Sequence, residues 1–263
     1  MAYHRIAALV IRHLYLYRRS LPRVMEIIYW PFLDLVVWGF ITVYLATFQG
    51  QMPAVVTFLL GALILWDVLF RSQQGITISF LKEIWARNLM NLFASPLTPS
   101  EFLAATMVMS LFKVTAVSMV MSVCAWIFYG YNVFIIGLWL MPFIVNLVLT
   151  GWIIGVFTTS LIMRFGQEAE VLAWSMVFLF QPISCVFYPM EVLPSWLRAV
   201  ASINPAAHVF EGMRGLLATH AAPLSSLSLA SGLNLVYLGA VILWFHHTFS
   251  VCKDRGSLVR VGE

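Results

Sequence analysis

Six apolar runs, at about 24–48, 54–79, 102–129, 133–163, 171–188 and 227–249, occupy most of this 263-residue chain. At 1.5 Å per residue, a helix of about 18 to 20 apolar residues crosses the roughly 30 Å hydrocarbon core of a bilayer. Six such runs with short connections predict an all-α polytopic membrane protein with six transmembrane helices. The whole chain, 1–263, then forms a single transmembrane domain, with no room for a sizeable water-soluble one.

The surface chemistry agrees. Asp, Glu, Lys and Arg are only 10% of the residues, and mean hydropathy is +0.91. Soluble domains carry roughly a quarter charged residues, so this chain cannot cover a water-facing surface. Its net charge of +4 does not point to nucleic acid, because the basic residues cluster at the ends of the apolar runs. Cys124, Cys185 and Cys252 lack metal-ligand spacing, and an odd number cannot all pair within the chain.

Residues 1–23 interleave Ile6, Leu9, Val10, Leu14 and Leu16 with Arg5, Arg12, Arg18 and Arg19. That pattern predicts a helix lying in the membrane plane, the alternative being an ordinary basic flank. The interrupting arginines also break the uninterrupted apolar core of a cleavable secretory signal, so the first span is expected to act as an uncleaved insertion signal. With both termini in the cytoplasm, that side carries Arg5, Arg12, Arg18, Arg19, Arg23, Lys82, Arg87, Arg164, Lys253, Arg255 and Arg260. The other side has only Arg198 and Arg214. This positive-inside asymmetry sets the expected orientation.

Two connections have structure of their own. The cytoplasmic link between spans 2 and 3, FLKEIWARNLMNLFASPLTPSEF, predicts a short amphipathic helix at about 82–95 that either touches headgroups or docks a cytoplasmic partner. Thr98, Pro99 and Glu101 then form a capping box with proline at the first helical position. From the end of span 5 onward, prolines 182, 189, 194 and 205 divide the chain into stretches 195–203 and 206–217, each too short to cross. These predict two short outer re-entrant helices within about 190–218, the second opened by Asn204 and Pro205. His208, Glu211 and Arg214 share a helical face there, and an ion pair accounts for them better than a metal does.

Charges inside the spans are costly and rarely face lipid. Counting from the span ends places Asp34, Asp67 and Lys113 near mid-membrane, with Arg71 one turn from Asp67. The expectation is one neutralised cluster that either lines a substrate path or locks spans 1, 2 and 3 together.

These residues resemble the permeases of type-2 ABC exporters. The stretch FYPMEVLPSWLRAVASINPAAHVFEGMRGLL at 187–217 carries the likeness in the spacing of Pro189, Pro194, Trp196, Asn204, Pro205 and Arg214, and Glu191 and Glu211 belong to the same outer segment. NLFASPLTPSEF at 91–102 is similar to the segment after that family's coupling helix. The resemblance implies a permease of the bacterial cytoplasmic (inner) membrane that pairs with a second copy of itself. It further implies two copies of a separate ABC ATPase, which bind ATP and Mg and dock around Glu83, Trp85, Arg87 and Asn91. No G-x-x-x-x-G-K-[ST] phosphate loop occurs in the chain, so ATP hydrolysis is expected on that partner and no cofactor or metal on this subunit. Glycans, lipid-linked molecules, drugs and peptides are all substrates consistent with this. The alternatives are a proton-coupled secondary transporter using Asp34 and Asp67, which lacks an evident inverted repeat, and a membrane enzyme, which lacks a catalytic constellation.

Overall fold

The computed structural model describes residues 2–18, 20–49 and 52–256, with side chains left aside at 22–24, 26–27, 45–49, 52–56, 90 and 167. Among the described residues there are α-helices and short 3-10 segments and no strand. The helices are α1 Tyr3–Arg18, α2 Leu21–Gln49, α3 Met52–Trp85, α4 Leu89–Ala94, α5 Pro99–Tyr129, α6 Leu140–Phe165, α7 Leu172–Phe180, α8 Ser195–Ser202, α9 Pro205–Thr219 and α10 Leu224–Asp254. The chain is therefore an all-α polytopic membrane protein. Among the described residues, three helices are long and apolar enough to cross a bilayer by length and composition: Pro99–Tyr129, Val133–Phe165 and Leu224–Asp254. Arg19, Arg260 and the side chains of Arg23 and Met90 lie outside the described residues.

The central element is α3. From Leu60 to Leu81 nearly every side chain is buried, because α2, α5 and α6 all pack against it. The polar residues of that run, Ser72, Gln73, Gln74, Thr77 and Ser79 among them, are buried with the apolar ones. Its closest neighbour is α6, where Gly151 and Gly155 let the two backbones meet. A Cβ at Gly151 would stand 2.5 Å from the Leu69 carbonyl oxygen, and one at Gly155 would stand 2.9 Å from that of Gln73. Small residues four apart are a standard solution for helix contact in lipid, where no hydrophobic force separates helix from hydrocarbon. Polar side chains hold α3 as well: the Thr77 hydroxyl donates to the Gly155 carbonyl of α6 at 3.3 Å, and Gln73 Nε2 reaches Ala173 O of α7 at 3.2 Å. On its far side α6 joins α10, where Asn234 Nδ2 donates to the carbonyl and the side-chain oxygen of Asn146, both at 3.0 Å.

Helix starts follow the chain chemistry. Thr98 Oγ1 accepts from Glu101 N–H, and Glu101 accepts from Thr98 N–H at 2.9 Å, which completes the capping box with Pro99 in the first turn. α5 then ends at Gly130 in the left-handed conformation, φ 64°. The Asn204 side chain accepts from Ala206 N–H, with Pro205 opening α9.

Two elements depart from the sequence reading. The helix expected at about 82–95 is two pieces: Lys82 to Trp85 continue α3, a turn follows with Arg87 at φ 50°, and only Leu89–Ala94 form a separate helix. α3 has no breaker before that turn, so it runs on past the apolar segment. Span 5, expected as one run at 171–188, holds nine α-helical residues, 172–180, preceded by a 3-10 segment at 166–171. Pro182 removes a backbone donor and stops the helix, and the chain continues through a 3-10 turn at 182–184 with Cys185 at φ 53°. Such irregular backbone is tolerated at membrane depth only where protein covers it. Here α8 and α9 provide the cover.

Candidate functional site

On the α1 side of the bundle, two buried carboxylates bracket α4, and both are bound by α1. Glu83, in the last turn of α3, is 2% exposed. Its Oε2 accepts from Arg12 at 3.0 Å and from Asn88 Nδ2 at 2.7 Å, while His13 Nε2 stands 3.7 Å from Oε1. Glu101, in the first turn of α5, accepts from the Ala2 backbone N–H at 2.8 Å and lies 3.5 Å from Arg5 Nη1. Arg5 also donates to the Pro96 carbonyl. The Arg5 and Arg12 side of α1 therefore faces protein, and Ile11, Leu14, Tyr15 and Leu16 on its remaining surface are exposed. That is the polarity of a helix resting on a bilayer with its apolar side outward from the bundle.

His13 lies outside the spans and is 5% exposed. Burial in the α1 packing pushes its pKa down; the Leu9 carbonyl, which accepts from Nδ1 at 2.9 Å, and Glu83 oppose that shift, whereas Arg12 and Lys113 add to it.

The four residues expected to contact a cytoplasmic partner separate into two kinds. Trp85, Arg87 and Asn91 are exposed around the turn and on α4. Trp85 Nε1 also donates to Glu170 at 3.1 Å, which ties the 166–171 connection to the end of α3. Glu83 is the correction: its charge is turned inward against Arg12 and Asn88, so it holds the loop from behind and presents nothing at the surface. Arg12 is read from the sequence only as a basic residue of the N-terminal helix, and neither His13 nor Asn88 is singled out there. The partners of a buried carboxylate 71 residues away leave no local pattern.

The expected membrane cluster also divides. Asp67 and Arg71 pair within α3 at 3.2 Å, and the field of Arg71 reaches Asp34, which is exposed on α2. Lys113 belongs elsewhere. Its ammonium lies 5.6 Å from the centroid of the Tyr17 ring, beside Lys82 at 5.3 Å from the same ring. Counting from Phe102 put Lys113 at mid-membrane; in the structure α5 packs beside α1, and Lys113 faces Tyr17 of that helix.

On the opposite side, Arg214 organises the exit of α7. Its Nη2 donates to the carbonyls of Cys185 and Tyr188, both at 3.0 Å, and its Nη1 pairs with Glu211 at 2.7 Å. Glu211 in turn accepts from Met190 N–H at 2.6 Å. Pro189 precedes the 3-10 turn 190–192, Pro194 precedes α8, and Arg198 of α8 ties the two together by donating to the carbonyls of Glu191 at 2.5 Å and Leu193 at 3.2 Å. Asn204 Nδ2 donates to Ser184 at 3.0 Å, joining α9 to the break. The Glu191 and Trp196 side chains are exposed. His208 is apart from the Glu211 and Arg214 pair, its Nε2 lying 2.7 Å from the Ser202 carbonyl.

The described residues thus form a bundle of apolar helices with a pinned loop on one side and the short helices α8 and α9 on the other. The model of the ABC-2 type transporter family matches residues 6–218, and the chain belongs to that family. It is thus the permease of an ABC-type transporter, a transport subunit that is not itself an ATPase and works with an ABC ATPase. No curated protein matches the chain.

Proposed function

We propose that this permease crosses the cytoplasmic (inner) membrane of a bacterium six times as one domain, with both termini in the cytoplasm, and moves its substrate outward. The active complex is two copies of this chain with two ATPase copies, which carry ATP and Mg. Family membership replaces the proton-driven alternative built on Asp34 and Asp67. A second copy suits α2, a spanning helix that exposes Asp34 together with Trp30, Trp38, Phe40 and Tyr44; an ionisable group at membrane depth turned away from its own subunit calls for a covering protein face.

One observation carries the coupling reading: Trp85, Arg87 and Asn91 are exposed on a loop whose two ends are fixed by the buried carboxylates Glu83 and Glu101 to a single helix, α1. A push on α4 from a closing ATPase pair passes to α1, α3 and α5 together, as rigid-body switching requires. The substrate is an amphiphile or polymer of the glycan, lipid-linked, drug or peptide classes.

The test is co-purification of the full chain with the ATPase of its own operon, followed by ATPase and transport assays. The expected result is a stable complex in which Trp85→Ala, Arg87→Glu and Asn91→Ala together cut substrate-dependent turnover at least about tenfold. Failure of any ATPase to associate, or unchanged coupling in the triple variant, would defeat the reading.

A further inference from the structure

α7 is short. Its nine residues rise about 13.5 Å before Pro182 stops it, so it cannot cover the whole side of α6, a 26-residue helix about 39 Å long. The length of α6 beyond it borders a cleft of about 420 Å³, walled by Ile153 and Phe157 of α6, Phe180 and Ile183 on either side of Pro182, Ile203 at the end of α8 and Tyr237 of α10.

Depth and chemistry limit what can enter. Along α6 the cleft runs from Thr150 to Phe157, about 15 Å from one end of the helix and about 12 Å from the other, and Tyr237 stands about 20 Å into α10. Both helices belong to segments long and apolar enough to span. The cleft therefore lies in mid-hydrocarbon, out of reach of headgroups and of water-soluble partners.

The few polar groups of its wall are already engaged. Thr150 Oγ1 is 2.9 Å from both Asn146 O and Asn234 Oδ1, the Tyr237 hydroxyl donates to Ile203 O at 2.9 Å, and Asn204 bonds to Ser184 and to Ala206 N–H. A buried water needs about two to four polar partners, which such a wall does not offer. A protein helix is too thick, since a cylinder about 10 Å wide takes up about 400 Å³ in a single turn. A polymethylene chain enters in single file, and exposed Phe157 and Ile203 leave the cleft open to the lipid around it.

We propose that this cleft holds one acyl chain of a bilayer phospholipid, lodged between α6 and the broken end of α7. Recognition is by hydrocarbon alone. Fixed walls pack against the chain at the density of a protein interior, which a liquid hydrocarbon does not match. The chain splints the α7 break and the start of α9 against α6 and α10, so the bilayer supplies the packing that Pro182 takes from α7.

The test is photolabelling of the full-length permease with its ATPase, in nanodiscs of a phosphatidylcholine that carries a diazirine in the terminal third of one chain, with adducts mapped by mass spectrometry. Labelling by chance follows exposure, which favours Leu235 and Val236 of α10, 67% and 68% exposed, over half-buried Ile153 and over Phe157 at 38%. The expected result is the reverse, with adducts at Ile153 and Phe157 exceeding those at Leu235 and Val236 at least about fivefold. Ile183→Trp, which fills the cleft from the opposite wall, is expected to lower labelling of Ile153 and Phe157 by at least about the same factor and to leave Leu235 and Val236 unchanged. A phosphatidylglycerol with the same labelled chain is expected to give the same pattern. Labelling of wild type that tracks exposure overturns the proposal without any variant having to fold. Undiminished labelling of a folded Ile183→Trp protein overturns it as well, as does a pattern that changes with the headgroup. Cleft residues shielded from lipid by a second copy would remain unlabelled, and that outcome also overturns it.

Discussion

Arg12 and Glu83 approach to 3.0 Å, and the two ends of that contact differ sharply in exposure: the Arg12 side chain is 39% exposed, the Glu83 side chain 3%. The arginine keeps much of its hydration while the carboxylate has given up nearly all of it, so the pair is asymmetric to deletion. Arg12→Ala leaves a buried carboxylate with Asn88 and His13, and about 1–3 kcal/mol of destabilisation is expected. Glu83→Gln leaves a solvated guanidinium and is expected to cost less. A double-mutant cycle on thermal unfolding in detergent checks both the order and a nonzero coupling energy.

The His13 pKa is lowered in the folded protein, so the unfolded chain binds the proton more readily. Stability from this group is intact above the unfolded value of about 6.5 and is lost as the pH falls through it toward the folded value. The groups facing His13 are Glu83, Arg12 and Lys113, of which only the first favours its charged form. Between pH 7.5 and 5.5 the Tm of wild type is expected to drop further than that of His13→Gln. Parallel curves for the two proteins contradict this.

Thr98→Ala removes the acceptor for Glu101 N–H and loosens the Glu101 carboxylate that also receives the Ala2 N–H. About 1 kcal/mol is expected from the lost cap. Protease sensitivity in the first residues of the chain should rise in step, since the same carboxylate holds them.

A leucine at Gly151 meets the Leu69 carbonyl oxygen, a backbone atom that cannot rotate away. Separating α3 from α6 also weakens the Thr77 bond to the Gly155 carbonyl across that seam. Gly151→Leu is expected to cost more than about 3 kcal/mol and to abolish a monodisperse peak on size exclusion, whereas leucine at Gly232, where a Cβ meets nothing within 4 Å, is tolerated.

Arg214→Ala leaves the Cys185 and Tyr188 carbonyls without their donor. A loss of about 2–4 kcal/mol is expected from two buried acceptors and the stranded Glu211. Cys185 is fully buried in the native protein. In a background lacking Cys124 and Cys252, maleimide labelling of Cys185 should be slow in wild type and fast in the variant.

Local chemistry made much of this molecule readable from its sequence. Thr98, Pro99 and Glu101, and Asn204 with Pro205, act on neighbours one to three residues away, so their caps could be written down from spacing alone. The apolar runs located the long helices because lipid imposes one length on them all. The breaks were harder: Pro182 ends α7 inside an apolar run, where composition gives no warning of how many residues stay helical. Long-range partners were illegible. Nothing near Glu83 indicates Arg12, and nothing near Lys113 indicates Tyr17, since both contacts depend on where α1 comes to rest. The tight α3 and α6 contact did have a signal, Gly151 and Gly155 four apart in an apolar helix, that passed unused.

At 34 residues, α3 is a rod about 51 Å long. One end carries Glu83; toward the other, Gly61 lies under the Tyr131 hydroxyl and near Met213 of α9. A rod of that length is a lever. A tilt of about 5° about its middle, too small to break the packing there, swings each tip by about 2 Å in opposite directions. The subunit therefore needs no relay of small adjustments to make its two faces aware of each other, because a single stiff shaft already belongs to both.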